Sequence, residues 1–194
     1  MTLSPDPAVL ARWPDVPACY DWLSLDRRGT WRLQGEAVGH AGLAGFLSAG
    51  YGRDEAGNWL VHNGPQRVYV ALEYTPWVLR LHPDGRLTTH TGAAVAGVAA
   101  ACLDEEGNVL LETELGAGLL DDRDLAAFLA QCRCADGRVA DDEALLAVMA
   151  GGAEEGAQAG SQAGSQVRWR DLPLQAVTRA AVPQRFGFRP RPAP

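Results

Sequence analysis

The chain contains no lysine and no isoleucine, so all 17 basic residues among its 194 are arginine. With Ala, Gly, Leu and Val abundant, this skew fits codon usage in a G+C-rich genome better than a functional choice. It does exclude a Gly-Lys-Ser or Gly-Lys-Thr phosphate loop, so Gly92 to Gly97 is not one. Long apolar runs are missing too. The longest uncharged stretch, Leu87 to Leu103, is interrupted by threonine, histidine and glycine and is no membrane span. The start, Met1-Thr2-Leu3-Ser4-Pro5-Asp6, has neither the basic region nor the apolar core of a signal peptide, which points to a cytoplasmic protein.

Cysteine and histidine are equally sparse. In a reducing compartment Cys19, Cys102, Cys132 and Cys134 read as small buried hydrophobes, and Cys132 and Cys134 lack the second pair that a zinc site would need. No two of His40, His62, His82 and His90 stand at the i, i+4 spacing of a helical metal site. Asp121, Asp122 and Asp124 lack the glycine and closing glutamate of a calcium loop and read as helix capping. No serine sits in a Gly-x-Ser-x-Gly elbow. Neither a metal nor a cofactor is expected.

What is present suffices for a core, since 47% of the residues are hydrophobic. The net charge of −7 is unevenly placed: six arginines and one aspartate follow Val167, which leaves the preceding body strongly acidic. Such a body repels phosphates, so nucleic acid is not an expected partner.

A turn followed by a strand recurs along the chain. Arg27-Arg28-Gly29 leads into Trp31 to Gln34, and four similar turns carry Gly57, Gly85, Gly107 and Gly137. In each a glycine supplies the positive φ of a tight hairpin, and a polar neighbour bonds the turn. Two of the strands precede matching apolar stripes, Leu43-Ala44-Gly45-Phe46-Leu47 and Leu125-Ala126-Ala127-Phe128-Leu129, each of which predicts one buried helix face. Asp121 or Asp122 would cap the second, and Asp141 or Asp142 a third helix through Leu145 to Met149. The expected fold is therefore α+β, with mostly antiparallel sheet, packed helices and an internally duplicated strand-to-helix unit.

Composition shifts divide the chain further. Pro5, Pro7, Pro14 and Pro17 make residues 1–24 an extended lead-in; residues 25–92 and 93–152 form the two halves. The repeated Gln-Ala-Gly-Ser letters make 153–166 a flexible linker. The basic tail 167–194 is apolar enough, through Trp169, Phe186 and Phe188, to dock on the body.

The longest alternating run, Arg67 to Leu81, is interrupted at Thr75-Pro76, which implies an edge position or a bulge. A bulge either re-aims side chains beside a site or merely bends a strand. Around this break Arg53, Arg67, Glu73 and Trp77 form the candidate ligand-binding set. The arginines would present bidentate donors, Glu73 an acceptor and Trp77 an apolar wall, which suits an anionic or amphipathic small molecule or a peptide. The plainer reading is a solvated sheet face with an Arg–Glu pair.

The segments Gly29 to Gly35, Tyr51 to Trp59, Asn63 to Val68 and Glu73 to Trp77 resemble a bacterial family known only as a domain of unknown function. They are similar also to a second, related uncharacterised family with a Gly-x-Trp strand, an Arg-Asp-x-x-Gly turn and an acidic-x-x-Pro strand. The resemblance spans about residues 20 to 132, with Phe186-Gly187-Phe188 near the end. It implies an α+β fold with a duplicated core and no particular activity. The expected function is a non-enzymatic binding or regulatory module, because no nucleophile and base can be paired. The alternatives are an enzyme using Glu73 or Asp54 as base with arginine anion binding, and an interaction module that offers a sheet edge.

Overall fold

The structure is a computed structural model that describes residues 16–151 and 167–194. The linker expected at 153–166 and most of the lead-in lie outside these residues. The chain forms two compact units, Met1–Pro76 with Gly187–Pro194, and Trp77–Phe186.

In the first unit β1 (Ala18–Leu25), β2 (Trp31–Leu33), β3 (Glu36–Ala37), β4 (Tyr51–Arg53), β5 (Trp59–Asn63) and β6 (Gln66–Leu72) form a six-stranded sheet. Its order is β3-β2-β1-β6-β5-β4, with β1 and β6 parallel. Helix α1 (Ala41–Gly50) packs on β5. It starts where the His40 ring accepts from the Leu43 N–H, and its Ser48 hydroxyl accepts from the Trp31 indole at 3.1 Å. Leu23, Leu25, Trp31, Leu43, Leu47, Val61, Val68 and Val70 are buried here. β1 is irregular between Cys19 and Leu23, where Asp21 adopts φ 56°.

Among the described residues the second unit has nine strands: β7 (Trp77–Leu81), β8 (Leu87–Thr89), β9 (Ala94–Val95), β10 (Val98–Leu103), β11 (Val109–Thr113), β12 (Gly116–Leu120), β13 (Cys132–Cys134), β14 (Val167–Trp169) and β15 (Leu172–Ala176). They run in the order β13-β14-β15-β10-β11-β12-β7-β8-β9, with parallel pairs β10–β15 and β7–β12. Its helices are short: α2 (Leu125–Leu129) after a 3-10 turn, α3 (Asp142–Ala150) capped by Asp141, and α4 (Val182–Arg185). Leu79, Leu110, Leu111, Phe128, Trp169 and Leu174 fill the core of this unit.

The expected α+β class is therefore corrected. The protein is mostly β, built on two large mixed sheets rather than on a sheet with packed helices. The physical reason is the density of tight turns, which spends most of the chain on hairpins. The helical stripes are too short to form a layer, and α3 buries no residue at all. The paired stripes also behave differently. In α1 Leu43 and Leu47 are buried and Phe46 is half-buried, whereas in α2 only Phe128 is buried. The run from Arg67 to Leu81 is likewise not one bulged strand: β6 and β7 belong to different sheets, and Pro76 lies where the chain leaves the first.

All five glycine turns share one hydrogen-bond pattern. The first residue accepts from the glycine N–H and donates its own N–H to the carbonyl of the fifth, as in Asp26–Thr30, Asp54–Asn58, His82–Arg86, Asp104–Asn108 and Cys134–Arg138. Thr89–Ala93, with Gly92, is a further turn of the same kind.

Candidate functional site

The turn Asp54–Asn58 between β4 and β5 gathers more of the sequence's candidate residues than any other place in the first unit. Asp54 Oδ1 accepts the Asn58 N–H at 2.9 Å, and Asp54 Oδ2 accepts from Asn58 Nδ2 at 3.0 Å. Burial pushes the Asp54 carboxyl up, but the Asn58 side chain, the Asn58 and Ala56 N–H groups and the charge of Arg189 outweigh it and hold the carboxyl below its ordinary value. Asn58 is itself buried, and its Oδ1 has no hydrogen-bond partner.

Onto this turn the chain lays its own end. Arg53 Nη2 donates to the Gly187 carbonyl at 2.8 Å, Arg189 N donates to the Gly57 carbonyl at 2.9 Å, and Leu72 N donates to the Pro190 carbonyl at 2.7 Å. Asn58 and Arg189 also pair as a parallel bridge. The approach is close enough that a side chain at Gly57 (φ 84°) would put its Cβ 2.9 Å from the Gly187 carbonyl oxygen. Phe188 is buried, and its Cα lies 3.6 Å from that same Cβ position. Residues 187–190 thus lie against the turn, held chiefly through backbone atoms, with a turn at Gly187, a bridge at Arg189 and a bend at Pro190.

Arg67 stands on β6 opposite His62, and its N–H donates to the Pro17 carbonyl. Beside it Tyr20 and Tyr69 stack with centroids 4.4 Å apart and planes 5° apart. Burial, a hydrogen bond with Tyr69 and the Asp54 charge raise the Tyr20 hydroxyl pKa, against an opposing pull from Arg67. Arg53 therefore meets the terminal segment directly and Asp54 braces the turn that receives it, whereas Arg67 stands at the other end of the β5–β6 pair. The other two candidates have structural partners. Glu73 Oε2 accepts the Arg27 N–H at 3.2 Å, and the Trp77 indole donates to the Leu115 carbonyl at 2.7 Å within the second unit.

The remaining chemistry-bearing groups serve structure. Burial pushes the Cys102 and Cys132 thiols up to about 11, so neither supplies a thiolate near neutral pH. Among the described residues no group of three or more His, Cys, Asp or Glu side chains is placed to hold a metal, and no helix is long and apolar enough to cross a membrane. Sequence reasoning missed Gly187, Arg189 and Pro190 as parts of this arrangement. The available signal was the proline alternation at 190, 192 and 194, which excludes helix and restricts the backbone there.

The family model DUF2944, described as "Protein of unknown function (DUF2946)", matches residues 7–193. The chain belongs to this family. The uncharacterised family expected from the sequence is thereby established for nearly the whole length of this DUF2944 member. Among solved structures it is similar to a DUF1285 family protein from Silicibacter pomeroyi DSS-3, at 19% identity and TM-score 0.48, over 66% of this chain and 78% of the other. A DUF1285 family protein from Shewanella baltica OS155 matches at 18% identity and TM-score 0.43, over 55% of this chain and 89% of the other. No curated protein matches the chain.

Proposed function

We propose that this DUF2944 protein is a non-enzymatic binding module whose first unit holds a polypeptide segment through its backbone at the Asp54–Asn58 turn. One observation carries the reading: the turn, Arg53 and the end of β6 already hold residues 187–190 by donors and acceptors that address backbone atoms. Backbone-directed contacts give affinity for extended chain, and adjoining pockets give preference for particular side chains. Arg53 serves here as a donor to a peptide carbonyl, which, of the two ligands the candidate residues suggested, favours a peptide over an anionic or amphipathic small molecule. Catalysis is the weaker reading. Asp54 is held below the ordinary carboxylate value, opposite to the raised value that a base working near neutral pH needs.

The test is a titration of the full chain with fluorescent eight-residue peptides of varied sequence, read by anisotropy. Peptides with an aromatic residue followed by Arg-Pro should bind, and Arg53→Ala should weaken them about tenfold, the loss expected from one charge-assisted hydrogen bond. Binding that ignores both Arg53→Ala and Gly57→Val would overturn the assignment of this site.

A further inference from the structure

The segment 187–194 reads Gly-Phe-Arg-Pro-Arg-Pro-Ala-Pro and belongs to the first unit, while the 110 residues before it, Trp77–Phe186, form the second. The chain passes from one to the other at the Phe186–Gly187 junction, directly after the four-residue α4, whose last bond runs from the Phe186 N–H to the Val182 carbonyl. Gly187 turns the chain there with φ 65°, a conformation that a side chain resists. Beyond it Pro190, Pro192 and Pro194 fix φ at alternate positions, which narrows the arm's conformations when free and lowers the entropy cost of docking it. Phe188 and Pro192 are its buried residues.

Every hydrogen bond described above between the arm and the body uses atoms that another molecule's arm would present identically. We infer that the arm is exchangeable between copies of this chain, so that Gly187–Pro194 of a second copy occupies the Asp54–Asn58 turn in place of the resident one. This inference rests on the peptide-holding reading of that site and names its partner. The resident arm competes at the high effective concentration of a tethered ligand, so the monomer dominates in dilute solution and exchange grows with protein concentration. Gly187 is the hinge. A β-branched residue there is strained at φ 65° but relaxed once the arm runs straight on to a neighbour, so it shifts the balance towards exchange.

Sedimentation velocity on the full chain tests this across a concentration series. Wild type should show a dimer fraction that rises with concentration. Gly187→Val should raise that fraction at least fivefold at equal concentration, and adding Phe188→Asp to the same chain should return it to monomer. A Gly187→Val chain that remains monomeric throughout, or a dimer that survives Phe188→Asp, overturns the exchange. A labelled synthetic peptide of sequence Gly-Phe-Arg-Pro-Arg-Pro-Ala-Pro separates this failure from that of the site itself. Peptide binding to the Phe188→Asp chain, where Gly187→Val forms no dimer, leaves the peptide-holding site standing and removes only the second copy as partner. Absence of peptide binding removes both. Should Phe188→Asp lose its fold by circular dichroism, the same peptide is titrated against Phe188→Ala, where weaker hold on the resident arm should give binding at least threefold tighter than in wild type.

Discussion

The two units carry the same two short phrases, Asp-Glu-x-Gly-Asn and Leu-x-x-Phe-Leu, and use each of them differently. Locally the turns are alike: the first N–H meets the fifth carbonyl at 2.9 Å in Asp54–Asn58 and at 3.0 Å in Asp104–Asn108, and in both the asparagine side chain donates to the aspartate. What each receives is not alike. Gly57 lies against the Gly187 carbonyl, whereas a Cβ at Gly107 would meet nothing within 4 Å. The second turn instead presents acids: Glu105 accepts the Arg179 N–H at 2.8 Å and Glu106 pairs with the Arg179 guanidinium at 3.0 Å. The same locally bonded scaffold thus receives a neighbouring segment through Arg53 and the Gly57 carbonyl in one unit and through two glutamates in the other.

The sharpest way to test this contrast is through the helices. Phe128→Ala should cost about 3 to 5 kcal/mol in chemical denaturation, because that ring is fully buried against Trp169, while Phe46→Ala should cost about half as much. Equal losses would show that the two helices do the same work after all. Next come the glycines. Gly57→Ala should destabilise by about 3 kcal/mol, combining an unfavourable positive φ with a carbonyl contact, and Gly107→Ala by about 1 kcal/mol from φ alone. A smaller penalty at Gly57 would mean that the arm gives way and its contact carries little.

The carboxylates separate the units more finely. Hydrogen bonds from the Arg123 guanidinium outweigh burial and draw Asp121 down to about 2. Its stabilisation is present above the ordinary value of 3.8 and is lost as pH falls through about 2, so Asp121→Asn should cost roughly 2 kcal/mol at neutral pH and almost nothing at pH 2. Asp54 has the same sign, and its titration followed by carbon NMR should have a midpoint below 3.8. A midpoint near neutrality would revive the base role. The smallest effect belongs to Arg179→Ala, about 0.5 kcal/mol and weaker at high salt, as for an exposed ion pair.

Much of the β content was legible in the letters and yet was misweighed. The five glycine turns lie where the sequence puts them, because an Asp or Asp-Gly within five residues settles its own hydrogen bonds. The stripes around Phe46 and Phe128 do form helices, but a five-letter match says nothing about which side of a helix meets a sheet. Pro76 marked a true break in a strand, and what lay beyond it was another sheet rather than a bulge. Of the four candidate site residues, Arg53 holds the Gly187 carbonyl, Glu73 and Trp77 bond backbone groups 46 and 38 residues away, and Arg67 stands on β6 opposite His62, a distinction that side-chain type alone does not make.

By itself the sequence determined the turn positions, the strands that flank them and the short helices, because each depends on bonds and φ preferences within a few residues. Only the tertiary structure decided that β1 lies beside β6, that β6 and β7 part into different sheets, and that residues 187–190 return to the Asp54–Asn58 turn. Those pairings close loops of tens to more than a hundred residues. Many alternative partners offer the same backbone donors and acceptors, and the choice among them rests on which apolar surfaces can be buried together, a property of the whole fold.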